Sequence, residues 1–221
     1  MNAEIAREAM VQQQLLPRGI VDPGVLAAMR VVPREKFVAP ALAARAYDDA
    51  ALDIECGQTI SQPFIVAWMI QAAALHPGDR VLEIGSGSGY AAAVLSRVVA
   101  HVWAIERHDA LARLARARLS ALGYDNVEIA TRDGTPGWPE VAPFNAILVS
   151  AGGPSVPPAL VDQLADGGRL VMPVGRSPSD QRLIRLTKRV GGNPVEDDLG
   201  GVRFVPLIGE FAWPGTGITS L

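Results

Sequence analysis

From about residue 80 onward, apolar residues gather in short runs separated by turns rich in glycine, proline and aspartate. Val81, Leu82 and Ile84 form the first run, and His101-Val-Trp-Ala-Ile105 the second. Further runs cover 127–130, 144–149, 169–173 and 183–188. Short apolar runs bounded by turn residues read as buried strands. An alanine-rich stretch at 91–95 has helical character. At 109–122, Leu111, Leu114, Ala115, Leu119 and Leu122 recur at helical spacing, with Arg113, Arg116 and Arg118 mostly on the opposite, solvated side. Pro157-Pro158 opens another short helix, through residue 164. Strands alternating with helices predict an α/β fold with a doubly wound, mostly parallel sheet. The last apolar stretch, 202–207, is β-prone and predicts a strand-like tail.

The first 76 residues have a different rhythm. A polar-faced helix is expected over 3–16, ended by Pro17-Arg18-Gly19. A second starts after Asp22-Pro23, an N-cap followed by a preorganised first turn, and carries Val25, Leu26 and Met29 on one face. Residues 34–53 read as short helix and loop. A third helix is expected over 64–75, with Ser61 as its N-cap and Pro63 in its first turn. The whole predicts an N-terminal helical extension, 1–76, on an α/β domain, 77–221, in one compact unit.

Composition narrows the function. At 49% hydrophobic and 19% charged, 221 residues can bury a full core. A net charge of −3 invites neither nucleic acid nor an anionic membrane surface. The single cysteine, Cys56, excludes an internal disulfide and a multi-cysteine zinc site, and it reads as a packing or neutral residue. His76, His101 and His108 lack ligand-like spacing, so no metal is expected. With no signal-like amino terminus and no apolar stretch of transmembrane length, the expectation is a cytoplasmic enzyme, and a monomer.

The candidate chemistry starts at Val81-Leu-Glu-Ile-Gly-Ser-Gly-Ser-Gly-Tyr90. Strand, glycine turn and helix make half a βαβ unit. Glycine turns sharply and lets a ligand approach with no Cβ in the way. The second strand ends in Glu106, at the spacing of about 20 residues where an acid meets ribose hydroxyls in nucleotide folds. A dinucleotide turn wants Gly or Ala five residues after its first glycine, and Tyr90 stands there instead. Glu83, two residues before Gly85, would repel a pyrophosphate and suits a cationic ligand group. This E-x-G-x-G-x-G pattern resembles the cofactor motif of class I methyltransferases, which bind S-adenosylmethionine. Asp133 and Ser150 also close strands, at the carboxyl ends where such sheets bind ligands.

A second constellation, Gly57-Gln-Thr-Ile-Ser-Gln-Pro63, is a polar loop entering a helix N-terminus, a setting that favours an anion such as a carboxylate. Together with the glycine turn it resembles the bacterial type of protein-L-isoaspartate O-methyltransferase. The likeness covers nearly the whole chain, including Gln14-Leu-Leu-Pro-Arg-Gly-Ile20, Val32-Pro-Arg34, Gly123-Tyr-Asp-Asn-Val127, Gly137-Trp-Pro139, Gly167-Gly-Arg-Leu170 and Val202-Arg-Phe-Val-Pro-Leu207. Cys56, Asn145 and Ala151-Gly-Gly-Pro154 depart from the family's usual residues. The last two bear on loop geometry and substrate fit, not on the reaction.

The resemblance implies a Rossmann-like fold and methyl transfer from S-adenosylmethionine to the α-carboxyl of L-isoaspartyl residues in damaged proteins and peptides. The ester then collapses to a succinimide that reopens partly to aspartate, so the enzyme starts protein repair. Ser61 is implied to hold the substrate carboxylate, with Thr59 and Ile60 giving backbone contacts and the loop of 1–76 acting as substrate loop. Glu83 and the turn Gly85, Gly87 and Ser88 would serve the methionine part of the cofactor. Glu106 would take the ribose, and Asp133-Gly134 the adenine edge. Gln58 and Arg107 complete the expected cofactor site. Two rivals stand beside this reading. A small-molecule carboxyl methyltransferase on the same fold is opposed by the loop at 58–63, and a non-catalytic binding module by Ser61 beside an intact cofactor motif.

Overall fold

The alternation of side chains along a strand decides which surface each half of the apolar pattern covers. In the computed structural model, which describes residues 2–213, this alternation builds two separate cores on the two faces of one sheet. Val81, Val102, Ala146, Leu148 and Val171 face the first core, and Leu82, Ile84, Trp103, Ile147 and Leu170 the second.

The amino-terminal part is helical. Helix α1 (Ala3–Met10) runs through a π-helical turn, Val11–Leu15, into a 3₁₀ turn that Gly19 closes in a left-handed conformation. Helix α2 (Pro23–Val31) is capped by Asp22, whose carboxylate accepts from the Val25 N–H at 2.8 Å. Two 3₁₀ turns, Arg34–Lys36 and Pro40–Arg45, follow where short helix and loop were expected. Strands β1 (Leu52–Asp53) and β2 (Thr59–Ile60) then pair antiparallel, and helix α3 (Pro63–Ala72) leads to the sheet.

The sheet holds β3 (Arg80–Ile84), β4 (His101–Glu106), β5 (Val127–Thr131), β6 (Phe144–Val149), β7 (Leu164–Ser177), β8 (Asp180–Arg189) and β9 (Gly192–Val202). Helices α4 (Tyr90–Ser96), α5 (Asp109–Ala121) and α6 (Pro158–Asp162) connect them. The order is β5-β4-β3-β6-β7-β8-β9, parallel from β5 through β7 and antiparallel for the last two pairs. The mostly parallel α/β expectation therefore holds. Residues of α2, α3, α4 and α5 share the first core with the sheet, so the helical extension is packed onto the sheet face rather than tethered beside it.

Two local readings change. Ser61 does not cap α3: the N-cap position is Gln62, with no side-chain cap bond. The Gln62 amide donates to Asp49 at 2.6 Å instead, and Pro63 at the helix start has no N–H to satisfy. The tail at 202–207 is not a strand beyond Val202. Its β character survives as a bridge between Gly152 and Pro206, with Gly152 N–H donating to Val205 at 2.9 Å and Leu207 N–H to Gly152 at 2.7 Å. The full strand lies earlier, in the polar segment Gly192–Val202.

Candidate functional site

The carboxyl ends of β3, β4 and β6 meet at the glycine turn. Gly85, Gly87 and Gly89 all take positive φ, at 83°, 52° and 88°. At Gly87 an added Cβ would meet only the Ile54 Cδ1 methyl at 3.4 Å, an ordinary contact, so it is the left-handed backbone rather than space that calls for glycine there. The Gly85 and Ser86 N–H groups donate to the Ile105 carbonyl at 2.8 and 3.2 Å, pinning the turn to β4.

Glu106 completes that tie. One carboxylate oxygen accepts from Gly87 N–H and the other from His108 N–H, both at 2.9 Å. The side chain is buried, with each oxygen keeping a free lone pair toward the hollow it borders. Glu83 differs. It lies on the Val81 face of β3 at 1% exposure, and its Oε2 has no hydrogen-bond partner among the described residues. Burial, reinforced by the Glu106 charge, pushes its carboxyl up to about 8. A buried acceptor without a donor is costly, and here it borders a hollow from which a ligand can supply the missing partner.

Three connected hollows surround this turn. The first is bordered by Gln58, Thr59, Gly85, Gly87, Glu106, Arg107, Gly134 and Ser150, and by residues 205–208 of the tail. The second is bordered by Thr59, Ile60, Ser61, Glu83, Gly85, Gly87, Ser88 and Tyr90, with Met69 and Ile70 of α3. The third is a groove lined by Ser61, Phe64 and Trp68 and by residues 201–205. Thr59 and Ser150 border all three, and Ser61 the second and third.

Of the residues expected from the sequence, all but Asp133 border the first two hollows. Asp133 borders a neighbouring depression with Arg107 and Ile208. Its Oδ1 accepts from Thr135 N–H and hydroxyl at 2.8 and 3.0 Å, and its Oδ2 from Glu210 N–H at 3.3 Å. Gly134 reaches the first hollow itself, and a Cβ built there would lie 2.5 Å from Ile84 Cγ2. Gly134→Ala should therefore lower both the melting temperature and cofactor affinity, overpacking of this kind costing about 1–3 kcal/mol. A thermal scan and a cofactor titration check it, and an unchanged melting point would mean that Ile84 yields freely.

Sequence reasoning placed Ser150 at a strand end without assigning it to the site. It missed the 205–208 wall, because an apolar stretch gives no sign that it folds back over a cleft. Tyr90 both packs and lines: it meets Phe37 edge-on, donates its hydroxyl to Met29 sulfur at 3.6 Å, and borders the second hollow. Cys56 is exposed and takes φ 60° beside Gly57 at 65° in the loop before Gln58.

A parallel sheet with a glycine turn after its first parallel strand and an acid closing the next is the architecture of the class I methyltransferases that use S-adenosylmethionine. The fold here is that of this class. A solved protein-L-isoaspartate O-methyltransferase superposes with a TM-score of 0.80 at 32% identity, covering 90% of this chain and 65% of that one. A second, a putative protein-L-isoaspartate O-methyltransferase from Plasmodium falciparum in complex with S-adenosyl-L-homocysteine, superposes at 0.78 with 28% identity, covering 94% and 98%. The chain belongs to the protein-L-isoaspartate(D-aspartate) O-methyltransferase family, whose model matches residues 5–212. Protein-L-isoaspartate O-methyltransferase 2 of Pelobacter propionicus is 57% identical over 96% of this chain and 94% of its own length. The Methylorubrum extorquens protein-L-isoaspartate O-methyltransferase is 59% identical over 92% and 88%. Among the described residues no helix is long and apolar enough to cross a membrane.

Proposed function

We propose that Ser61 holds the α-carboxylate of an L-isoaspartyl residue at the mouth between the second hollow and the groove, where methyl transfer from S-adenosylmethionine begins repair of the damaged chain. One observation carries this: Ser61 borders both spaces, so a group bound at its hydroxyl faces Glu83 on one side and the open groove on the other. The groove suits a polypeptide better than a small acid, because its lining reaches from Ser61 to Phe64 and Trp68 and across to 201–205. Residues 1–76 supply the substrate loop, and 77–221 the cofactor domain.

The residues fit the cofactor. The unpartnered Oε2 of Glu83 suits a cationic amino-acid end, and Gly85 and Gly87 leave the turn open. Glu106 keeps acceptor capacity for ribose hydroxyls. Gly134 borders the adenine edge, with Asp133 holding the backbone around it. When bound, S-adenosylmethionine supplies a methyl group already activated by its sulfonium. The acceptor is ionised at neutral pH and needs no general base. The protein's task is alignment, which in well-oriented systems is worth up to ~7–11 kcal/mol. Ser61 donates its hydroxyl to the carboxylate, while the backbone at Thr59 and Ile60 fixes the other side of the acceptor. Ser61 is no nucleophile, since among the described residues no histidine hydrogen-bonds its hydroxyl.

This enzyme acts as a cytoplasmic monomer on isoaspartyl proteins and peptides and not on nucleic acid. The net charge of −3 supports the last point. The test is labelled methyl transfer to an isoaspartyl peptide beside its normal aspartyl counterpart. Equal labelling of both, or of neither, would remove the assignment.

Glu83 gives a pH prediction. Its folded carboxyl sits at about 8, far above its unfolded value, so the folded ligand-free protein binds the extra proton between those limits. Stability should then fall as pH rises from about 5 to 8, the reverse of a salt-bridged acid. A cationic ligand favours the ionised form, so the melting-temperature gain from S-adenosylmethionine should grow over the same window. Thermal scans of the wild type and Glu83→Gln check this. A Gln variant that keeps the full slope would assign it to other groups.

A further inference from the structure

The groove leading away from Ser61 has an uneven charge. Its charged lining side chains are Arg18 and Arg203, and no acid lines it. Arg18 lies 3.4 Å over the Phe64 ring, which stacks on Trp68 at 5.6 Å, and Asp49 neutralises it at 3.0 Å. Arg203 is exposed, and no described residue hydrogen-bonds or ion-pairs with it. Its backbone is nonetheless fixed. The next residue, Phe204, donates its N–H to Gln181 Oε1 at 2.8 Å and accepts from Gln181 Nε2 at 3.0 Å. Gln181 is itself buried, at 3% exposure. One uncompensated positive charge therefore stands on an anchored segment at the lip of the groove.

We propose that Arg203 reads the residue flanking the isoaspartate, favouring a peptide with an acidic side chain there and disfavouring a basic one. The inference rests on the groove being the peptide path. With the carboxylate held at Ser61, the neighbouring residues of the substrate must run between Phe64 and Trp68 and the 201–205 wall. A carboxylate on one of them meets a guanidinium with no competitor among the described residues, and an ammonium meets repulsion. Exposed charge pairs shift affinity only about two- to fivefold each, so attraction and repulsion together separate the two peptides by about tenfold. The effect is screened by salt, whose Debye length is about 10 Å at 0.1 M.

The experiment compares kcat/KM for isoaspartyl peptides identical except for Glu, Gln or Lys at the residue before or after the isoaspartate. The wild type should prefer Glu over Lys by about tenfold at low salt on at least one side, and the preference should shrink toward 1 M salt, where screening acts within about 3 Å. Arg203→Gln should bring the ratio close to unity and Arg203→Glu should invert it. Equal rates with the wild type, a ratio that survives in Arg203→Gln, or an equal loss on all peptides would each overturn the proposal. No turnover even of the Gln peptide by the wild type would remove the peptide-path reading and this inference with it.

Discussion

Ser61→Ala should lower kcat/KM for an isoaspartyl peptide by about 100-fold while leaving the protein folded and its cofactor affinity nearly unchanged. Geometry makes the effect separable from stability. The residue does not cap α3, and its hydroxyl makes no hydrogen bond to another described residue. Removing it leaves no orphaned protein group, so the cost of about 0.5–2 kcal/mol expected for a lost cap should not arise. In the proposed role, what disappears is the donor that would hold the acceptor oxygen in line with the methyl group, and misplacements near 1 Å can cost about 100-fold. Cofactor affinity should be spared because the residues proposed to hold the cofactor, Glu83, Glu106 and the glycine turn, are untouched. Ser61→Thr keeps the hydroxyl and should retain part of the activity, as far as the half-buried site admits a methyl group. Peptide kinetics, a cofactor titration and a melting curve decide the matter together. Wild-type turnover in Ser61→Ala would end the assignment.

Glu106→Ala should raise the cofactor KM at least tenfold, with a smaller effect on kcat at saturation. Hydrogen bonds to a charged acceptor contribute about 1.5–3 kcal/mol each, and the ribose would lose its acceptor. The structure enlarges the effect. The same carboxylate holds the Gly87 and His108 N–H groups, so its removal frees the glycine turn from the end of β4. Glu106→Gln keeps one oxygen for one of these donors and should fall between wild type and Ala. A second consequence follows from the Glu106 charge raising the Glu83 carboxyl. Without that charge, the pH window over which Glu83 ionises should move down. An unchanged cofactor KM would show that the acid only braces the turn.

The central strands were legible because both faces of β3, β4 and β6 are covered, so their residues are apolar at nearly every position. The acids stood out for the opposite reason: Glu83 and Glu106 interrupt or end such runs where no core explains them. β9 was missed because Gly192–Val202 contains Pro194, Glu196, Asp197 and Asp198 and lies at the sheet edge, where burial imposes no apolar pattern. Ser61 was misread locally: a serine before proline looks like a cap, and only the three-dimensional start of α3 shows that Gln62 holds that position. The 205–208 wall depends on a contact with Gly152, far away in sequence, which no local pattern announces.

The polar edge strand matters for the company this enzyme keeps. Any extended segment of a polypeptide substrate could pair with an open strand edge. A long, flat, apolar edge would add such a segment to the sheet and trap it, because unsatisfied edge groups template aggregation. β9 refuses that partnership. Pro194 withholds a donor, and Asp197 and Asp198 engage Arg185 and Arg182 of β8. Glycines and charges leave little for an incoming chain to bury. This edge of the sheet is thereby kept from pairing with the polypeptides that the enzyme meets.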